Sequence, residues 1–137
     1  MITIRAADAH DFESLVALDP IALNDPTRRD LIAQWLRTGD CKVALIDGSV
    51  VGYAVLTEHF FHQPFIEMLM VSTKHRRKGV GDTLVEHFAS QRGGKLWTST
   101  NESNAPMRSL LVRARFVQSG QIHNLDEGDP ELIFVRL

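Results

Sequence analysis

Residues 74–88, KHRRKGVGDTLVEHF, decide how this chain is read. Four cationic side chains run into Gly79 and Gly81, and an apolar-patterned helix follows at once. Just upstream, FIEMLMVS (65–72) is nearly all apolar and reads as a central strand covered on both faces. Strand, basic glycine loop and helix start together suit an anion. The N–H groups of a first helical turn have no intrahelical partner, and the helix dipole adds positive charge there. Glycine lets the backbone approach a phosphate with no Cβ in the way. The loop can therefore offer main-chain N–H groups of Arg77, Gly79, Gly81 and Asp82, with charge from Arg76, Arg77 and Lys78. It is not a Walker loop, because no Gly-Lys-Ser/Thr follows. It is not the dinucleotide fingerprint, because the third glycine is missing. By itself it is equally a basic turn that caps a helix.

Outward from this loop the chain divides into short elements. ITIRAA (2–7) alternates as a strand. Asp8 is placed to cap a helix over residues 9–18, ended by Pro20. A second helix starts at the cap Asp25 with Pro26 in its first turn, and Gly39 stops it. CKVALI (41–46) and VVGYAVLTEHF (50–60) are strands joined by Asp47-Gly48-Ser49, a hairpin signal. The helix after the glycine loop carries Val80, Leu84, Val85 and Phe88 on one face, and Gly93 stops it. KLWTST (95–100) is a strand, residues 105–114 a short helix, and residues 115–123 and 131–137 two closing strands. The order β-α-α-β-β-β-α-β-α-β-β predicts an α/β (α+β) fold: a mixed, mostly antiparallel sheet of about seven strands flanked by helices.

The 137 residues fit one domain, taken as 1–137. With 44% hydrophobic and 23% charged residues the composition is that of an ordinary globular protein. A net charge of −2 argues against a general nucleic-acid binder. Cys41 is the single cysteine, so neither an intrachain disulfide nor a cysteine zinc cluster can form. No run approaches the roughly 18 apolar residues of a spanning helix. The N-terminus lacks a signal-peptide core, so a cytoplasmic location and no membrane partner are expected.

Arg76-x-x-Gly79-x-Gly81, after Leu69-x-Val71 and before an amphipathic helix, resembles the acyl-CoA pyrophosphate loop of the GNAT superfamily of N-acetyltransferases. The resemblance extends over nearly the whole chain, since the element order is the family's. It implies an acyl-CoA N-acyltransferase fold in which the fourth and fifth strands splay and pantetheine lies in the gap like an extra strand. The implied co-substrate is acetyl-CoA, with no metal. Leu69, Met70 and Val71 would meet the pantetheine arm, and Arg76, Arg77, Lys78, Gly79, Val80, Gly81, Asp82 and Thr83 the pyrophosphate. The Asp82 side chain would point away from the dianion. Asn104 matches an asparagine that often contacts the CoA arm.

The implied reaction is direct attack of a primary amine on the acetyl thioester. The amine must lose a proton to a base. Glu67 is the candidate: alternation places it on the face of Leu69 and Val71, where a carboxylate is costly unless paired or solvated by a cleft. Pairing with an arginine or lysine at a sheet end is the alternative, and Glu58 is the reserve base. Family members often carry a tyrosine acid in the C-terminal helix. Here Leu111 falls at that position, and Arg115 replaces the glycine before Phe116. Tyr53, the only tyrosine, lies on another strand. His59 and His62 lack a third metal ligand. Trp35 and Trp97 read as packing and Cys41 as inert.

The family's acceptor region would draw on Glu58, Phe60, Phe61 and His62, and on the loop carrying Asp126, Glu127 and Asp129. That acidic and aromatic rim would favour a cationic amine, whether a small molecule or a lysine side chain. A non-catalytic acyl-CoA sensor is the competing reading, supported by Leu111. A homodimer is possible by resemblance.

Overall fold

The computed structural model describes residues 1–91 and 93–137. The strands are β1 (Ile2–Ala6), β2 (Cys41–Ile46), β3 (Ser49–Phe60), β4 (Gln63–Val71), β5 (Leu96–Asn101), β6 (Val117–Ile122) and β7 (Glu131–Arg136). The α-helices are α1 (Phe12–Leu18), α2 (Pro26–Thr38), α3 (Val80–Gln91) and α4 (Ala105–Arg113). The expected element order is observed. One sheet holds all seven strands in the order β1-β2-β3-β4-β5-β7-β6. Every pairing is antiparallel except β4 with β5.

Local chemistry accounts for the element ends. Asp25 caps α2 by accepting from Thr27 N, Pro26 occupies the first turn, and Gly39 closes the helix with a left-handed φ of 80°. The β2–β3 turn has φ 50° at Asp47 and 79° at Gly48, the twist-matched hairpin geometry. The first helix differs from expectation. Residues Ala9–Asp11 form a 3-10 turn closed by an Asp8–Asp11 capping box, and α1 proper starts at Phe12. Two capping aspartates so close together tighten that first turn. The third helix is described through Gln91, two residues before the expected Gly93 stop, and Arg92 lies outside the described residues.

The sheet buries two layers. On one face α3 and α4 pack Leu84, Phe88 and Leu111 with Phe116 and Ile66. On the other α1 and α2 pack Leu15, Ile32 and Trp35 with Val43, Tyr53 and Val55. The second layer contains a buried polar anchor. Asp19, wholly inaccessible, accepts from Tyr53 Oη and Arg28 Nη1, each at 2.8 Å, and from the Ile21 and Ala22 N–H groups. Removing Arg28 would leave the buried Asp19 charge without its ion-pair partner, typically a loss of about 3–5 kcal/mol. Tyr53 therefore ties the α1–α2 connection to β3, and burial first, then Asp19, push its hydroxyl pKa upward.

One expectation about β4 fails. Of its nine residues only Ile66 is fully buried. The reason is topological: β4 meets β5 only at Phe65↔Trp97 and Ile66↔Thr98, after which the two parallel strands separate. The strand is central in the sheet order yet open along half its edge.

Candidate active site

The open edge of β4 leads into a groove of about 610 Å³. Leu69, Met70 and Val71 form one wall, and the loop contributes Arg76, Arg77, Gly79, Val80, Gly81 and Asp82. The opposite wall is α4, with Met107, Ser109, Leu110 and Arg113, and Asn104 stands at its start. Most of the residues expected at a CoA arm and pyrophosphate thus line one cavity. Two do not. Lys78 is exposed outside it, and Thr83 turns its hydroxyl onto the Gly79 carbonyl at 2.7 Å.

The loop is shaped by two left-handed residues, Arg77 (φ 64°) and Gly79 (φ 80°). A Cβ on Gly79 would meet nothing within 4 Å, so glycine serves backbone conformation there. Gly81 has a different reason from the expected one. A Cβ on it would stand 2.6 Å from Leu110 Cδ1, so it is small because α3 packs closely on α4. Asp82 is held by Arg113 at 3.4 Å, which neutralises part of its charge beside the basic loop. Asn104 caps α4 by accepting from Met107 N at 3.2 Å, leaving its amide N–H groups unused by that bond.

Glu67 does not share the face of Leu69 and Val71. Val55 pairs with Met68 and Leu56 with Ile66, so Glu67 is the extra residue of a β-bulge. The bulge turns its carboxylate to the α1/α2 side. There Oε1 accepts from the Thr57 hydroxyl and lies 3.1 Å from His59 Nδ1. This replaces the alternative of an arginine or lysine partner. The Glu67 side chain stays 26% accessible, so a half-buried, oriented carboxylate sits beside the strand gap. Periodicity alone cannot show a bulge, and Thr57 and His59 were missed for that reason. Glu58, the reserve, is exposed on β3.

Leu111 is fully buried and packs with Phe116, so this position belongs to the core and not to the groove wall. The α4 side chains that face the groove lie at other positions. Burial, mainly, pushes the Cys41 thiol up to about 12, so it stays protonated. Among the described residues no group of three His, Cys, Asp or Glu side chains is placed to hold a metal ion. Among the described residues no helix is long and apolar enough to cross a membrane.

The expected acidic and aromatic rim is two separate places. Phe60, Phe61 and His62 sit at the β3–β4 turn, where Phe60 contacts the Phe65 and Trp97 rings. Asp126 is bonded to Asn101, four residues beyond Trp97 on β5. At about 3.3 Å per residue that is roughly 13 Å along the strand.

The sequence profile described as the Acetyltransferase (GNAT) family matches residues 9–115. Streptothricin acetyltransferase of Streptomyces lavendulae is 34% identical over 87 residues, 60% of this chain and 46% of that protein. The chain thus spans about half the length of this curated relative. A GNAT-family acetyltransferase structure from Bacillus cereus ATCC 10987 superposes with a TM-score of 0.91 at 33% identity, covering 100% of this chain and 99% of that one. Ard1 from Thermoplasma volcanium superposes at 0.82 with 23% identity, covering 99% and 98%, which speaks to the fold alone.

Proposed function

The chain belongs to the GNAT acetyltransferase family, and from that footing we propose that it moves the acetyl group of acetyl-CoA to a primary amine by direct attack in a ternary complex. The observation that carries this reading is the groove itself, lined by the basic glycine loop and the unpaired edge of β4. Glu67, hydrogen-bonded by Thr57, is the β4 residue directly after the last β4–β5 pair at Ile66. The β4 edge beyond Ile66, where pairing with β5 stops, suits an extended amide chain, and the loop N–H groups with Arg76 and Arg77 suit a pyrophosphate.

Each group then has a task. Glu67 takes the proton from the incoming ammonium, directly or through water, because only the neutral amine attacks. Thr57 and His59 hold the carboxylate in one orientation, leaving Oε2 for that proton. A main-chain N–H on the open β4 edge stabilises charge on the thioester oxygen. The thiolate leaves and is protonated from solvent. Leu111 is buried and supplies no acid, and a non-catalytic acyl-CoA sensor is the alternative that the thiol-release test decides.

The test is thiol release from acetyl-CoA with a panel of primary amines. Glu67→Gln should keep acetyl-CoA affinity and lower kcat by roughly 10²–10⁴-fold, the usual worth of a general base. Unchanged turnover in Glu67→Gln would remove Glu67 from the chemistry.

A further inference from the structure

Beside Glu67 the sheet carries an aromatic surface that the acetyl-transfer reading does not use. Phe60 stacks on Phe65 with centroids 4.8 Å apart, lies 5.5 Å from Trp97, and meets Phe61 edge-on at 4.9 Å. Register places these rings on the side of the carboxylate. Thr57 pairs with Phe65, Phe60 with Gln63 and Phe65 with Trp97. Ile66 and Leu96 point the other way into the α3/α4 layer. The Thr57 hydroxyl, on the face of the rings, is bonded to Glu67.

The turn holding this surface is strained. Phe61 (φ 52°) and His62 (φ 59°) both adopt left-handed backbone, where a two-residue hairpin favours Asn-Gly. Phe61 is also 81% exposed. A bulky ring kept at a position that disfavours it, facing water, is poor for folding and points to a role in contact.

We propose that the Phe60–Phe65–Trp97 surface, with Phe61 edge-on at its rim, is the acceptor platform, and that the acceptor is a cationic arylalkylamine: a flat ring on the platform and an ammonium at Glu67. Successive same-face residues of a strand stand about 7 Å apart, so Phe65 and Glu67 match a ring and an amine separated by two or three carbons. The ring gains stacking contact, and the ammonium meets the carboxylate. This inference rests on the acetyltransferase reading for the fate of the amine and on the platform alone for its binding.

Two readouts separate those parts. Phenylethylamine and butylamine are compared as acceptors. Phenylethylamine should have a kcat/KM roughly tenfold or more above butylamine. Phe60→Ala should lower the phenylethylamine value much more than the butylamine value. Phe61→Asn/His62→Gly, which relieves the turn, should raise stability and still weaken phenylethylamine, so unfolding cannot account for the loss. Independently, phenylethylamine should quench Trp97 emission in a Trp35→Phe background, and butylamine should not. Quenching without thiol release would sink the transfer reading and leave the platform standing. Equal kcat/KM for the two amines, or no quenching, would overturn the platform. Quenching that follows protein concentration, with a dimer in sedimentation, would give this face to a second copy and also overturn it.

Discussion

At the scale of single residues, Arg115 shows how a departure from the family pattern can be read physically. It follows α4 with φ 69°, its N–H bonds the Val112 carbonyl, and the Phe116 N–H bonds that of Leu111. This is a Schellman closure, with Phe116 against Leu111 as its apolar contact. The motif favours glycine, and arginine there carries a Cβ penalty. Arg115→Gly should therefore stabilise the fold by about 1 kcal/mol in a denaturant titration, offset somewhat by a looser unfolded chain. Equal or lower stability would mean that the Arg115 side chain contributes more than the backbone strain removes. Glu67 marks the limit of residue-level reading. Its chemical type and place on β4 were legible, but its facing was not, because a bulge leaves no trace in a pattern of period two. Gly79 and Gly81 looked equivalent in sequence, and only packing against Leu110 separates their reasons.

At the scale of elements, the legible parts were those written in local chemistry. Asp25, Pro26 and Gly39 delimit α2 almost to the residue, and the Asp47-Gly48 turn sets the β2–β3 hairpin. The covering of β4 was misread because an apolar run looks alike whether helices bury it or a neighbouring strand diverges from it. The connection from β1 to α1 carries a pH prediction. The Arg5 guanidinium bonds both Asp11 oxygens, at 2.8 and 2.9 Å, and outweighs burial to hold that carboxyl below its ordinary range. The folded state then binds fewer protons than the unfolded chain near that range. The stabilisation is fully present above the ordinary carboxylate pKa of about 3.9 and is lost as pH falls through the lowered value. Asp11→Asn should be less stable at neutral pH and show a shallower loss of stability below about pH 4. An unchanged acid limb in chemical denaturation would assign acid sensitivity to other carboxylates.

At the scale of the molecule, strand order and helix placement followed from the succession of elements, and the glycine loop marked one end of the groove. What the chain could not display was proximity across the sheet. Thr57 and His59 on Glu67, Arg113 on Asp82, and the distance between the aromatic turn and Asp126 all depend on register and crossing. The central claim is that the groove between β4 and α4 is an acetyl-CoA site. Its most direct test is calorimetric titration with acetyl-CoA, in parallel with Gly79→Glu. That substitution puts a carboxylate into the loop at a left-handed position with open space around it. The account predicts saturable one-to-one binding to the native protein, abolished or greatly weakened in a variant that remains folded. No heat of binding to the native protein, or undiminished binding to Gly79→Glu, would contradict it.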